Sequence, residues 1–350
     1  MTWSTSRSLL VLAAALGIAA PIAVEAPAEA QSTPPIRFTL DWKYQGIHAF
    51  VFWAQDKGYF AKEGLSVVVD QGEGSAATVA RIVSGAYDAG LGDMNAIITL
   101  AGKDPGKQPV MVYMMYNSAP FALITREPGP VRTLKDLEGR TAGYPAGASA
   151  GHLFAPLAKL NGVDLSKIKI INMSPALQEQ MMLRGDIDAA AVFTVTSYVN
   201  LIGQKVDPDK DIRWLYYSKF GVNPYANGLM VSQKLVTEHP QAVAGLARAL
   251  NRAFIECALN PDAATALVSK QEPLLNAKLE QQRLVYAYKT HFVTPETDKI
   301  GVGDVTDERM NATIKLNIDA FNLAHTPAIA DVFNRSFLPS ISDRMLKLPM

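Results

Sequence analysis

Residues 38–64 read FTLDWKYQGIHAFVFWAQDKGYFAKEG. The apolar start predicts a short strand that ends at Asp41-Trp42. A polar, aromatic turn follows, and a helix is expected from residue 47 to residue 62, through Gly58-Tyr59-Phe60. In an open α/β sheet, ligands lie beyond the carboxyl ends of strands, where helices begin. A tryptophan at such a strand end is a candidate wall of a binding site.

Upstream lies an export pattern. Arg7 gives a positive start, and residues 9–20 form the apolar run LLVLAAALGIAA. That run is too short for a bilayer, which needs about 20 residues. Ala28-Glu29-Ala30 places small residues at the two positions a signal peptidase reads. The expectation is a cleavable signal over residues 1–30 and a periplasmic protein, with an uncleaved anchor as the alternative. The cysteine nearest that point is Cys257, which argues against a lipoprotein.

The remainder, about 320 residues, has the length of two domains. Lys plus Arg and Asp plus Glu both number 33. This balance gives no basic excess for nucleic acid and no acidic tail for a basic partner. One cysteine, Cys257, rules out an intrachain disulfide; in the helical pattern AFIECALN it reads as a small buried apolar residue.

From residue 36 strand and helix patterns alternate. Strands are expected at 36–41, 65–70, 86–91 and 109–116, with helices at 47–62, 75–84 and 94–103, then an extended run at 121–126. Such alternation builds βαβ units around a largely parallel sheet. Glu127-Pro128-Gly129-Pro130 breaks the pattern, which then restarts. Strands are read at 141–144, 168–172, 189–193 and 212–217, and helices at 150–160, 176–184 and 196–204. Gly221-Val222-Asn223-Pro224 is a second break; a strand at 228–232 and a mostly helical remainder follow. The economical topology inserts one α/β unit, residues 126–226, into another, residues 31–125 plus 227–350. Two crossings, near Thr125 and Asn227, then form a hinge over a cleft.

Five strand-to-helix junctions are candidate cleft walls. Trp42-Lys43-Tyr44-Gln45 with His48 offers a flat apolar face, a movable cation and a ring that either contacts ligand or packs locally. Gly72-Glu73-Gly74-Ser75 places an N-cap serine and two glycines before a helix, a plain turn or an end able to receive an anion. Asp93, in Gly92-Asp93-Met94-Asn95, reads first as a helix cap. Asn117-Ser118-Ala119-Pro120 lies near the first crossing. Gly147-Ala148-Ser149-Ala150-Gly151-His152 opens a helix of the second unit with small residues that permit close approach to the backbone. Thr194, and Tyr225 with Asn227 at the return crossing, complete the set. The five histidines, 48, 152, 239, 291 and 325, form no HxxxH pair and have no cysteine partner, and there is no GxSxG elbow, P-loop or dinucleotide fingerprint. No metal site and no cofactor are expected, and the reading is that of a binding protein, not an enzyme.

Leu40-Asp41-Trp42, His48, Ala54, Gly58-Tyr59-Phe60 and Glu63-Gly64-Leu65 resemble the opening of the ABC-transporter solute-binding proteins. The nearest branch is the SsuA/ThiY-like one that handles thiamine-pyrimidine precursors, sulfonates, nitrate and riboflavin. The resemblance continues through Val83-Ser84-Gly85, Asp88, residues 134–140 (LKDLEGR) and residues 184–189 (RGDIDA). It implies a type II periplasmic-binding-protein fold of two hinged α/β lobes, a monomer that captures a small molecule and delivers it to an ABC permease and its ATPase. It further implies stacking of a flat heterocycle on Trp42, with polar contacts from Ser75 and Ser149. Two positions depart from the pattern: Lys43-Tyr44 stands where Pro-Asn commonly follows the tryptophan, and Phe193-Thr194-Val195-Thr196 where members often carry Trp-Glu-Pro. Sulfonate, nitrate or an aromatic carboxylate are the alternative ligands. A related fungal enzyme makes the pyrimidine from its own histidine and uses a cysteine-rich iron motif; a single cysteine disfavours that alternative.

Overall fold

The computed structural model describes residues 1–3 and 35–348. The expected apolar run and cleavage point of the signal lie outside them. Among the described residues, ten strands form two five-stranded sheets. In the first, β1 (Ile36–Thr39), β2 (Val67–Asp70), β3 (Ala89–Asp93), β4 (Val110–Met114) and β10 (Asn227–Val231) are ordered β2-β1-β3-β10-β4. In the second, β5 (Phe121–Arg126), β6 (Thr141–Tyr144), β7 (Lys169–Asn172), β8 (Ala189–Phe193) and β9 (Ile212–Tyr216) are ordered β7-β6-β8-β5-β9. The two orders are equivalent, and in each the fourth strand is antiparallel to its neighbours.

Burial follows position. The inner strands β3 and β10 are buried at every residue, whereas the edge strand β2, VVVD, alternates between half-buried and exposed. An inner strand is covered on both faces; the opposite edge strand, β4, is also buried at every residue, because Ile329–Val332 and Arg335–Phe337 pack on it. Between strands, the expected helix over residues 47–62 is three pieces: a 3-10 turn Gly46–His48, an α-helix Ala49–Asp56 and a short helix Tyr59–Lys62. The break falls at Gly58, whose φ of 65° suits glycine and interrupts the helix.

The first crossing lies earlier than the expected point near Thr125. Phe121–Arg126 is already a strand of the second sheet, where Thr125 pairs with Arg213, so the chain changes sheets between Met114 and Phe121. The pattern of residues 121–126 marks a strand but does not specify which sheet takes it. Aromatic contacts run through this crossing: Tyr116 packs edge-on against Phe292 at 4.7 Å and Phe193 at 5.9 Å, and Phe193 against Phe121 at 5.2 Å.

The C-terminal helices lie against both sheets' layers. Helix Ala277–Ala287 packs on Thr194–Gly203 of the second lobe and on the Gly46–His48 turn of the first. Helix Asp307–Phe321 packs on Met94–Lys103 and Phe154–Leu160. Cys257 is fully buried in helix Pro240–Leu259, and burial pushes its thiol pKa up.

Candidate functional site

Both sheets reverse strand order between neighbours, β1 and β3 in one, β6 and β8 in the other. Crevices at carboxyl ends open at such points, and here the two open towards each other. Between them lies a space whose walls include Asp41, Trp42, Ile47 and Ser75 from the first lobe and Ser149, Gln178, Phe193 and Thr196 from the second.

Asp41 is the charged residue of these walls. It is 3% exposed and accepts two hydrogen bonds, from His48 Nε2 at 2.8 Å and Asn227 Nδ2 at 2.6 Å. The tautomer of His48 follows from its other nitrogen. The backbone N–H of Gln45 donates to Nδ1 at 3.2 Å, so Nδ1 carries no proton and Nε2 is the donor to Asp41. His48 is therefore a neutral prop for the carboxylate. Asn227 also donates to Ser75 Oγ at 2.7 Å, tying the β10 start to the first residue of helix Ser75–Val83. Trp42 is half-buried against the same space.

On the opposite wall, Ser149 Oγ and Gln178 Oε1 are buried with no hydrogen-bond partner. An unmatched buried polar atom typically costs about 1–3 kcal/mol, so these atoms favour a partner arriving in the space.

The lobes touch around it. Gly147 O accepts from Ala76 N at 3.1 Å and Ala77 N at 3.4 Å. Thr99 and His152 Nε2 are 3.1 Å apart, Thr194 Oγ1 and His291 Nε2 2.7 Å, and Thr196 Oγ1 donates to Gln45 Oε1 at 3.2 Å. A buried ion pair reinforces this seam. Glu280 accepts from Gly46 N at 2.6 Å and from Arg283, whose Nη1 donates to Val195 O at 3.1 Å and Thr196 O at 2.6 Å. With the lobes in contact, the space between them is about 20 Å³ measured for the centre of a water molecule. That holds about one water, too little for a ring-sized solute with the lobes in this position.

The sequence-predicted residues divide. Trp42, Ser75, Ser149 and Ala150 line the space. Lys43 points to solvent, 3.4 Å from Glu73, and Tyr44 packs edge-on against Phe52 at 5.6 Å. His48 has both nitrogens engaged and no exposure. Gly74 abuts Gly147 across the seam; a Cβ there would sit 2.1 Å from Gly147 O. This corrects the anion-receiving reading of Gly72-Glu73-Gly74-Ser75: Gly74 takes the N-cap position, and the Ala76 and Ala77 N–H groups are occupied by Gly147. Asp93 caps helix Met94–Lys103 through Asn95 N at 3.1 Å, and burial raises its pKa. Asn117 bonds Glu296 and Thr294, Thr194 bonds His291, and the Tyr225 hydroxyl bonds Glu296. These last three hold the crossings together without lining the space.

Sequence reasoning missed Asp41, Gln178, Phe193 and Thr196 as wall residues. Asp41 was adjacent to the chosen tryptophan, and Phe193 and Thr196 flank the chosen Thr194. Gln178 carries no local signal.

Two α/β lobes, two crossings and a cleft at facing strand ends define the periplasmic solute-binding-protein fold. Among solved structures, an alkanesulfonate-binding protein SsuA from Xanthomonas axonopodis superposes with a TM-score of 0.65 at 15% identity, over 87% of this chain and 99% of that one. The chain belongs to the NMT1/THI5 like family, whose profile matches residues 45–264. Two curated relatives are a 4-amino-5-hydroxymethyl-2-methylpyrimidine phosphate synthase of Schizosaccharomyces pombe, 27% identical over 66% of this chain and 67% of that one, and the riboflavin-binding protein RibY of Chloroflexus aurantiacus, 24% identical over 92% and 91%.

Proposed function

We propose that this chain is an exported solute-binding protein that captures a flat nitrogen heterocycle between its lobes and delivers it to an ABC permease. The carrying observation is the placement of Trp42 and Asp41 on one side of the interlobe space and of the unpartnered Ser149 and Gln178 oxygens on the other. A ring stacked on Trp42 meets both polar walls only when the lobes are together, so binding energy favours closure, in proportion to the ligand's preference for the closed form. Both curated relatives are named for flat nitrogen heterocycles, a pyrimidine and a flavin, which supports that ligand class over sulfonate and nitrate.

Capture is favoured over pyrimidine synthesis by the wall chemistry. The lining side chains include one carboxylate and otherwise hydroxyl, amide, apolar and indole groups; Cys257 is buried within a helix. Export rests on the pattern of residues 1–30; N-terminal sequencing of the secreted protein is the test, a start near Gln31 supporting export and a start at Met1 refuting it.

The test is a thermal-shift screen followed by calorimetry with aminopyrimidines, flavins, alkanesulfonates, nitrate and aromatic acids. Stabilisation by heterocycles with one-to-one stoichiometry supports the reading. Turnover of a bound pyrimidine precursor would favour the enzyme instead.

A further inference from the structure

Resting on the capture reading, we infer that Asp41 makes the cleft selective for hydrogen-bond donors: it takes a neutral or cationic heterocycle that presents N–H groups, and rejects sulfonate and nitrate.

Three observations lead there. First, Asp41 is the charged side chain among the lining residues. Its two bonded partners bring no charge: Asn227 is an amide, and His48 is held as the neutral Nε2–H tautomer by the Gln45 N–H. The nearby cation Arg283 is matched by Glu280, with which it makes two hydrogen bonds. An ionised carboxylate accepts and never donates. With about four lone-pair positions and two donors already in place, it retains capacity for a ligand N–H.

Second, an acceptor on the opposite wall lacks a donor. Gln178 is 3% exposed, and its Oε1 has no partner. An amide carbonyl oxygen only accepts, so it is satisfied by an N–H or O–H from the ligand.

Third, one competing anion site is closed. The helix Ser75–Val83 begins at the cleft, but its Ala76 and Ala77 N–H groups donate to Gly147 O of the other lobe. An anion seated in the closed cleft meets the Asp41 carboxylate without these donors to offset the repulsion. The hydroxyls of Ser75 and Ser149 can donate or accept and are indifferent to ligand charge.

The experiment is calorimetry on the mature chain with three probes: 4-amino-5-hydroxymethyl-2-methylpyrimidine, benzenesulfonate and sodium nitrate. The expected result is binding of the aminopyrimidine alone. In Asp41→Asn its affinity falls roughly 10- to 100-fold, the range for a lost hydrogen bond to a charged group, and benzenesulfonate binding becomes measurable. Circular dichroism verifies the fold of the variant; if Asp41→Asn does not fold, the wild-type comparison of amine against sulfonate decides. Wild-type binding of benzenesulfonate or nitrate as tight as that of the aminopyrimidine, or an Asp41→Asn affinity within twofold of wild type, overturns the inference and leaves capture standing. Binding of no probe, and of no flavin or aromatic acid either, overturns both.

Discussion

Asn227 Nδ2 lies 2.6 Å from Asp41 Oδ2, although 186 residues separate them in the chain. Antiparallel pairing produces this meeting. Asn227 opens β10 opposite Asp93, the last residue of β3, so the start of a returning strand lies among the ends of outgoing ones. The residue that ends the second crossing thereby holds the carboxylate of the cleft. The return crossing and the wall of the interlobe space therefore share one side chain.

Trp42→Ala is expected to weaken binding of a flat heterocycle by about 1–3 kcal/mol, the range seen when an aromatic stacking platform is removed. Trp42→Phe should retain most of the affinity, because a smaller ring still stacks. Calorimetry on both variants decides. Equal affinity for Trp42→Ala and wild type would mean that the indole only covers its own lobe.

Gly74→Ala should hinder closure while leaving each lobe folded. Its Cβ would lie 2.1 Å from Gly147 O across the seam, and Gly74 has a φ of 154°. Parting the lobes relieves the contact with Gly147, so the conflict is greatest in the closed form. A loss of at least about tenfold in ligand affinity is expected, since binding draws on the population able to close. Small-angle scattering of the ligand-saturated variant should show a larger radius of gyration than wild type; an unchanged radius and affinity would count against closure at this seam.

Arg283→Met should destabilise the protein by roughly 3–5 kcal/mol, the usual consequence of leaving one partner of a buried ion pair alone. Arg283 and Glu280 are 3% and 4% exposed, so water cannot take over. Combining Glu280→Gln with Arg283→Met removes the orphaned charge and should recover part of the loss. Denaturant titrations of the three proteins measure this, and an undiminished loss in the double variant would place the effect in packing instead.

His291 supplies a pH dependence. Burial lowers its pKa to about 4, below the usual value of 6.5. The unfolded chain takes up a proton as pH falls through about 6.5, whereas the folded chain resists until about 4. Stability should therefore fall across that window, by on the order of 3 kcal/mol from this group, and level off below it. His152, also lowered chiefly by burial, acts in the same direction. Denaturation at several pH values, wild type against His291→Gln, isolates the share of His291; parallel curves would refute it.

Much of the fold was legible locally. Strands such as Thr141–Tyr144 and Ala189–Phe193, and the helix Met94–Lys103, have the bounds their patterns predict, because a run of apolar residues ended by a cap or a glycine is a short-range signal. The site was partly legible for the same reason: Trp42, Ser75, Ser149 and Ala150 lie at strand-to-helix junctions. The role of each residue there was less so. Lys43 and Tyr44 follow Trp42 in the chain but leave the cleft, since residues after a strand end turn in different directions. Gly74 looked like an anion-binding end and is instead a contact between lobes.

The sequence by itself determined the alternation of strands and helices, the two-unit plan and the junctions where a ligand could lie, all of which follow from periodicity, propensity and chain breaks over short spans. Only the tertiary structure decided which groups face one another: Asn227 on Asp41, Gly147 on Gly74, Gln178 across from Trp42's lobe, and Phe121–Arg126 in the second sheet. Those pairings depend on strand order and on the approach of two lobes, and the free energy that selects them is shared among contacts far apart in sequence. A single stretch of chain does not contain it.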